Sequence, residues 1–176
     1  TLIWKLAPCL AAGNTVVMKP SEQSSCSTLE LMEVLLEADL PPGVLNVVTG
    51  FGDTTGAPLI DHPDVRMASF TGGTAGGRAA ASVAARQVKP IIMELGGKSP
   101  QIVLADADLD LAVNGVATGI FPAAGQSCIS GSRLLLHKSI ADEFTQRLID
   151  VVGKARVGDP LDPATQIGPI ANRRHY

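Results

Sequence analysis

Short apolar, β-branched runs alternate with glycine-bounded stretches of helical period along the first half of the chain, and that alternation constrains the fold most. The runs at 15–19, 45–49, 65–70 and 90–93 read as strands. Residues 2–12, the stretch capped by Ser24 or Ser25, 53–61 and 74–86 read as helices around and between them. Antiparallel strands can be joined by a tight turn, whereas parallel ones need a crossover of about a dozen residues, usually a helix. The intervals here are of the second kind. The expected class is α/β, a Rossmann-like parallel sheet with helices on both faces.

Local signals set the breaks. Gly13-Asn14 stops the first helix, and Pro8 weakens or kinks it. In the second helix Leu29, Met32, Leu35 and Leu36 share one face, and Pro41-Pro42-Gly43 ends it. Beyond Glu94 the texture changes. Residues 101–104 and 133–137 read as strands, 139–154 as a helix, and Asp106, Asp108 and Asp110 put negative charge at a helix start. A domain boundary is expected near Gly96-Gly97.

Composition narrows the partners. With a net charge of -3 and no basic run, the chain lacks the clustered cations of a nucleic-acid groove. No apolar run approaches the length that spans a bilayer, and Thr1 opens no charged leader. Three widely spaced cysteines, an odd count, argue against a disulfide framework and for a cytoplasmic setting. His62, His137 and His175 stand alone, so no metal site is expected. The aspartates at 106–110 lack the glycine and distal glutamate of a calcium loop. The first residue is not Met and the last helix has no closing cap, so an internal piece of a longer polypeptide is expected.

Two glycine loops follow strands. Gly50-Phe-Gly-Asp-Thr-Thr-Gly56 comes close to the dinucleotide fingerprint but carries one residue too many before its third glycine. An ordinary strand-to-helix turn fits it equally well. Phe70-Thr-Gly-Gly-Thr-Ala-Gly-Gly77 could bring backbone N–H groups to a pyrophosphate at a helix start. Lys19-Pro-Ser-Glu22 lies just past the first strand, where a parallel sheet binds ligands. Its lysine and carboxylate read either as a surface pair or as a grip on a ribose, the carboxylate favouring NAD over NADP.

Cys128 lies in Gly-Gln-Ser-Cys-Ile-Ser-Gly-Ser-Arg, 34 positions after Glu94 in Met-Glu-Leu-Gly-Gly-Lys. A thiol among small residues is open to a substrate, and a carboxylate beside glycines can serve as a base. Together they can form a thioester and hydrolyse it. Cysteines are more often small core residues, the reading given to Cys9 and Cys26. A lone glutamate is more often an ion-pair partner, and Lys98 is near enough in sequence to pair with Glu94.

Four blocks in this order and spacing, 13–22, 70–77, 94–100 and 125–133, closely resemble the aldehyde dehydrogenase superfamily over essentially the whole chain. The resemblance implies that Cys128 is the nucleophile and Glu94 the base that activates the deacylating water. It implies cofactor binding by Lys19, Ser21 and Glu22 at the ribose, Gly52 near the adenine, Gly72, Gly73, Thr74 and Gly77 at the pyrophosphate, and Leu95 by the nicotinamide. The cofactor would be NAD, with NADP possible. Residues 1–96 would be part of the dinucleotide-binding domain, and 97–176 the N-terminal part of the catalytic domain.

The implied reaction oxidises a small aldehyde to an acid through a thiohemiacetal and a thioester. The whole protein would be a homodimer or homotetramer, without nucleic-acid or membrane partners. The oxyanion asparagine would precede Thr1 and a second cofactor carboxylate would follow Tyr176, so the isolated segment is expected to be inactive. Many relatives have Ser at Gly73 and an acid at Ala75, which removes one phosphate donor here. Alternatives are a catalytically incomplete nucleotide-binding fragment, a relative that passes the acyl group to coenzyme A, or a cysteine hydrolase. Glu94 argues against the coenzyme A route, and the lack of a histidine in motif context argues against the hydrolase.

Overall fold

β-Branched and long apolar side chains favour the half-buried, extended backbone of a sheet. The computed structural model, which describes residues 1–173 and 175–176, has a strand on each apolar run. These are β1 (Val16–Met18), β2 (Leu45–Val47), β3 (Ala68–Thr71), β4 (Ile91–Glu94), β5 (Pro100–Val103) and β6 (Arg133–Leu136). All three ladders are parallel. Val16 lies opposite Leu45, Ala68 opposite Ile91, and Pro100 opposite Arg133. The class is α/β and Rossmann-like, with the strands hydrogen-bonded as the pairs β1–β2, β3–β4 and β5–β6 rather than in one continuous ladder.

The chain divides into two compact units, Thr1–Leu95 and Gly96–Tyr176. In the first, α1 (Leu2–Ala11) leads into β1, and α2 (Cys26–Leu36), α3 (Ala57–Asp61) and α4 (Thr74–Arg86) connect the strands. The buried face of α4 is Gly77, Ala80, Val83 and Ala84, small enough for the helix to lie close against β3 and β4. Leu6 of α1 is buried in the same unit. In the second unit α5 (Leu109–Ile120) and α6 (Ala141–Val152) close over Val103, Val113, Val116 and the fully buried Phe144. Asp108 caps α5, its carboxylate accepting from the N–H groups of Asp110 and Leu111 at 3.0 Å each. No described helix is long and apolar enough to cross a membrane.

Several local expectations need correction. The helix expected at 53–61 is two elements, a wide turn of π geometry at Gly52–Gly56 followed by α3. Both Thr55 and Gly56 donate to the Phe51 carbonyl, at 3.0 and 3.2 Å. A π turn holds one residue more than an α turn, so it absorbs the surplus residue of the Gly50–Gly56 loop. The buried stripe of α2 is Thr28 with half-buried Leu31, Met32 and Leu35, while Leu29 and Leu36 are exposed. Both stripes fit a period of 3.6 residues, so periodicity alone did not choose between them.

Ser25 occupies the cap position of α2 without capping it, its hydroxyl donating instead to the Ser21 carbonyl at 2.8 Å. Cys26 is exposed rather than in the core, because it precedes that buried stripe. The strand expected from 65 begins only at Ala68, since His62 and Val65 close a turn. The last helix opens with a tight turn at Lys138–Ile140 before α6 begins.

Candidate active site

In an open parallel sheet, ligands bind beyond the carboxyl ends of the strands, where loops turn toward helix N-termini. Every candidate residue of the first unit follows such an end. Lys19, Ser21 and Glu22 come after β1, Gly50 and Gly52 after β2, Gly72–Gly77 after β3, and Glu94 and Leu95 close β4.

Two groups form there. Lys19 reaches from β1 to the β2 loop, its ammonium donating to the carbonyls of Gly50 at 3.1 Å and Pro20 at 2.5 Å. Its stem passes Gly56, where an added Cβ would lie 3.4 Å from Lys19 Cε. Ser21 and Glu22 sit exposed in the adjoining turn, with Ser21 Oγ accepting from the Gln23 N–H.

The second group is the glycine turn with the end of β4. Thr71 lies opposite Glu94, and the Gly72 N–H donates to the Glu94 carbonyl at 3.1 Å. The Phe70 ring fills the space that side chains at 72 and 76 would need, its Cζ lying 2.8 and 3.0 Å from added Cβ atoms there. Gly73 caps α4 without a side chain, and nothing lies within 4 Å of where its Cβ would be. No side chain caps the first N–H groups of α4, which leaves them available to an anion at the helix start. Gly77 has a different reason to be glycine. Its Cβ would lie 2.6 Å from Leu95 Cδ2.

Glu94 is exposed, and in the second unit the Lys98 ammonium donates to the Gly97 carbonyl at 3.3 Å. Lys5 of α1, which sequence reasoning missed, is the cation that feels the Glu94 carboxylate. Burial pushes the Lys5 ammonium below its ordinary pKa, and the Glu94 carboxylate pulls it partly back. Its Nζ is enclosed and has no hydrogen-bond partner among the described residues. The signal was present: Lys5 is the lone charge in the helix Leu-Ile-Trp-Lys-Leu-Ala-Pro-Cys-Leu-Ala.

Cys128 belongs to the second unit and is half-buried, with a free thiol. Its loop is delivered by a left-handed turn. Ala123, Ala124 and Gly125 have φ of 53°, 53° and 72°, a conformation that costs a non-glycine residue about 1 kcal/mol. Gln126 secures the far side, donating to the Ala123 carbonyl at 2.9 Å and accepting from the Ala171 N–H at 2.9 Å. Gly97 comes so close that an added Cβ would lie 2.9 Å from the Cys128 carbonyl oxygen. Arg133 donates from Nε to the Lys98 carbonyl at 2.8 Å, fastening the same strand end. No group of three metal-ligating side chains occurs among the described residues.

The model of the aldehyde dehydrogenase family matches residues 1–176. The chain is 49% identical over 173 residues to a chloroplastic betaine aldehyde dehydrogenase of Amaranthus hypochondriacus, covering 98% of this chain and 34% of that protein. Among solved structures it superposes on PnpE from Pseudomonas sp. WBC-3 with a TM-score of 0.93 and 50% identity, over 96% of this chain and 35% of that one. A betaine aldehyde dehydrogenase from Staphylococcus aureus in complex with NAD+ gives a TM-score of 0.93 at 42% identity, over 98% and 34%. The chain spans about a third of the length of the curated relatives it matches. With sequence and fold in agreement over nearly all of its residues, the chain belongs to the aldehyde dehydrogenase family.

Proposed function

We propose that the whole protein oxidises an aldehyde to a carboxylic acid with NAD, and that Thr1–Leu95 forms part of its dinucleotide-binding domain while Gly96–Tyr176 begins its catalytic domain. The observation that supports this reading is that Lys19, the two glycine loops and Glu94 each follow or close the carboxyl end of a parallel strand, with Lys19 bonded to the Gly50 carbonyl and Gly72 to the Glu94 carbonyl. The bare N-terminus of α4 fits a pyrophosphate, and Lys19 with Glu22 fits a ribose. NAD, when bound, supplies the hydride acceptor.

An aldehyde has no leaving group other than hydride, so its carbonyl must first become tetrahedral. Cys128 attacks as the thiolate and forms a thiohemiacetal, whose oxyanion is stabilised by the Cys128 backbone N–H. Loss of hydride leaves a thioester on the sulfur. Glu94 takes a proton from water, which attacks the thioester and releases the acid and the thiolate.

The test is pre-steady-state production of NADH by the full-length protein with a simple aldehyde. Cys128→Ala should abolish both the burst and turnover. Glu94→Gln should keep the burst and slow turnover about 100-fold or more, the usual worth of a general base. Unchanged steady-state rates in either variant would overturn the assignment.

A further inference from the structure

The loop that carries Cys128 is held by a side chain far from it in sequence. Gln101, in the middle of β5, donates from Nε2 to the Gly131 carbonyl at 2.9 Å and to the Val116 carbonyl at 3.2 Å. Gly131 closes the Cys128 loop, and Val116 belongs to α5. A third bond locks the same junction, from the Gly131 N–H to the Gly119 carbonyl at 2.9 Å. Gln101 therefore ties one strand to both the helix that leads into the loop and the residue that leaves it.

The slot for this side chain is made by two missing ones. A Cβ at Gly119 would lie 2.5 Å from Gln101 Oε1, and a Cβ at Gly131 would lie 2.5 Å from Gln101 Nε2. Both hydrogen-bond acceptors are carbonyls, so the position calls for a donor such as the amide nitrogen and not for a carboxylate. A half-buried amide that satisfies two backbone acceptors in a slot of fixed shape has little freedom to move. The thiol three residues before Gly131 inherits that fixity.

We propose that Gln101 is a positioning residue for the nucleophile, its amide fixing the Cys128 loop in the geometry that reaction requires. The proposal rests on Cys128 being the nucleophile. Placement of a reacting group matters steeply, since a displacement of about 1 Å can cost about 100-fold in rate. Released from Gln101, the loop should expose its thiol more often while presenting it less well.

The test compares Gln101→Met, which keeps the bulk and loses the donors, with Gln101→Asn, which keeps the amide on a shorter stem. Both are made in the full-length protein. Two readouts are taken: the NADH burst rate, and site-resolved alkylation of Cys128, Cys26 and Cys9 by iodoacetamide. Gln101→Met should slow the burst about 10- to 100-fold and speed alkylation of Cys128 several-fold, with Cys9 and Cys26 unchanged. Gln101→Asn should fall between wild type and Gln101→Met on both readouts.

If the slot needs only volume, Gln101→Met is the milder variant, and the proposal fails. Equal acceleration at all three cysteines means loss of the fold rather than of positioning, and also overturns it. Should Gln101→Met not fold, alkylation of Cys128 in Gln101→Asn at the wild-type rate would be enough to reject the proposal. If the wild-type protein makes no NADH, the proposed reaction falls, while the alkylation pattern still decides whether Gln101 holds the loop.

Discussion

Gly77 and Leu95 share one space: the Leu95 methyl group Cδ2 lies 2.6 Å from where a Gly77 Cβ would be. The first turn of α4 thus comes close to the end of β4 because one residue has no side chain and the next strand's last neighbour fills the gap. The glycine turn and the residue after Glu94 are consequently set by the same contact.

Gly77→Ala should cost about 1–3 kcal/mol through overpacking, read as a lower denaturation midpoint in the full-length protein. Binding of NAD should weaken at the same time, because Leu95 must leave its place. Leu95→Ala in the same chain should recover about 1 kcal/mol or more of the loss, the size expected for residues in direct contact. Strictly additive losses would show that the two positions do not share the space.

Gly96 and Gly97 provide a matched pair at the other glycine step. An added Cβ at Gly96 meets nothing within 4 Å, whereas one at Gly97 lies 2.9 Å from the Cys128 carbonyl oxygen. Backbone cannot swing aside as a side-chain tip can. Gly97→Ala should slow the NADH burst about 10-fold or more through displacement of the thiol, and Gly96→Ala should be the milder of the two. Equal burst rates for the two variants would contradict the contact.

How much of this was legible beforehand depends on the range of the interaction. The strands at 16–18, 45–47 and 91–94 follow from local apolar runs, and the helix at 74–86 from a small-residue period. The surplus residue in Gly50–Gly56 was visible, but its accommodation in a π turn was not, because that depends on two donors choosing the Phe51 carbonyl. Glycine misled most. At Gly125 it serves a positive φ, yet at Gly119 and Gly131 it vacates room for Gln101, a partner 18 and 30 residues away. Ala123 and Ala124 carry no signal of a left-handed turn, since alanine gains nothing there. Lys5 was readable as an isolated charge in an apolar helix, but its burial and the pull of Glu94 on it needed the fold.

Lys5 makes stability depend on pH in a definite direction. Burial lowers the pKa of its ammonium in the folded state, with Glu94 opposing. Below the lowered value both states are protonated, and folding carries the cost of enclosing the charge. As pH rises toward the ordinary lysine pKa of about 10.4, the folded state sheds the proton first and the cost disappears. Lys5→Met should therefore raise the melting temperature at neutral pH, by an amount that shrinks as pH approaches 10. A destabilisation at neutral pH would mean that the ammonium is held by a favourable partner in the full-length protein.

Gly73 is the position where the chain can gain. Its backbone is extended, with φ of -73° and ψ of 160°, and its Cβ direction is open, so a side chain meets neither strain nor a neighbour. It is also the cap of α4, where serine satisfies a free N–H that glycine leaves to solvent. Gly73→Ser should stabilise the fold by only a few tenths of a kcal/mol, since glycine is itself a tolerated cap. The larger effect belongs to the ligand. If the turn holds the pyrophosphate, the new hydroxyl offers one more donor, and a neutral hydrogen bond worth about 1 kcal/mol tightens NAD about fivefold. Calorimetric titration of the full-length variant measures this directly, and weaker binding than wild type would argue that the pyrophosphate lies elsewhere.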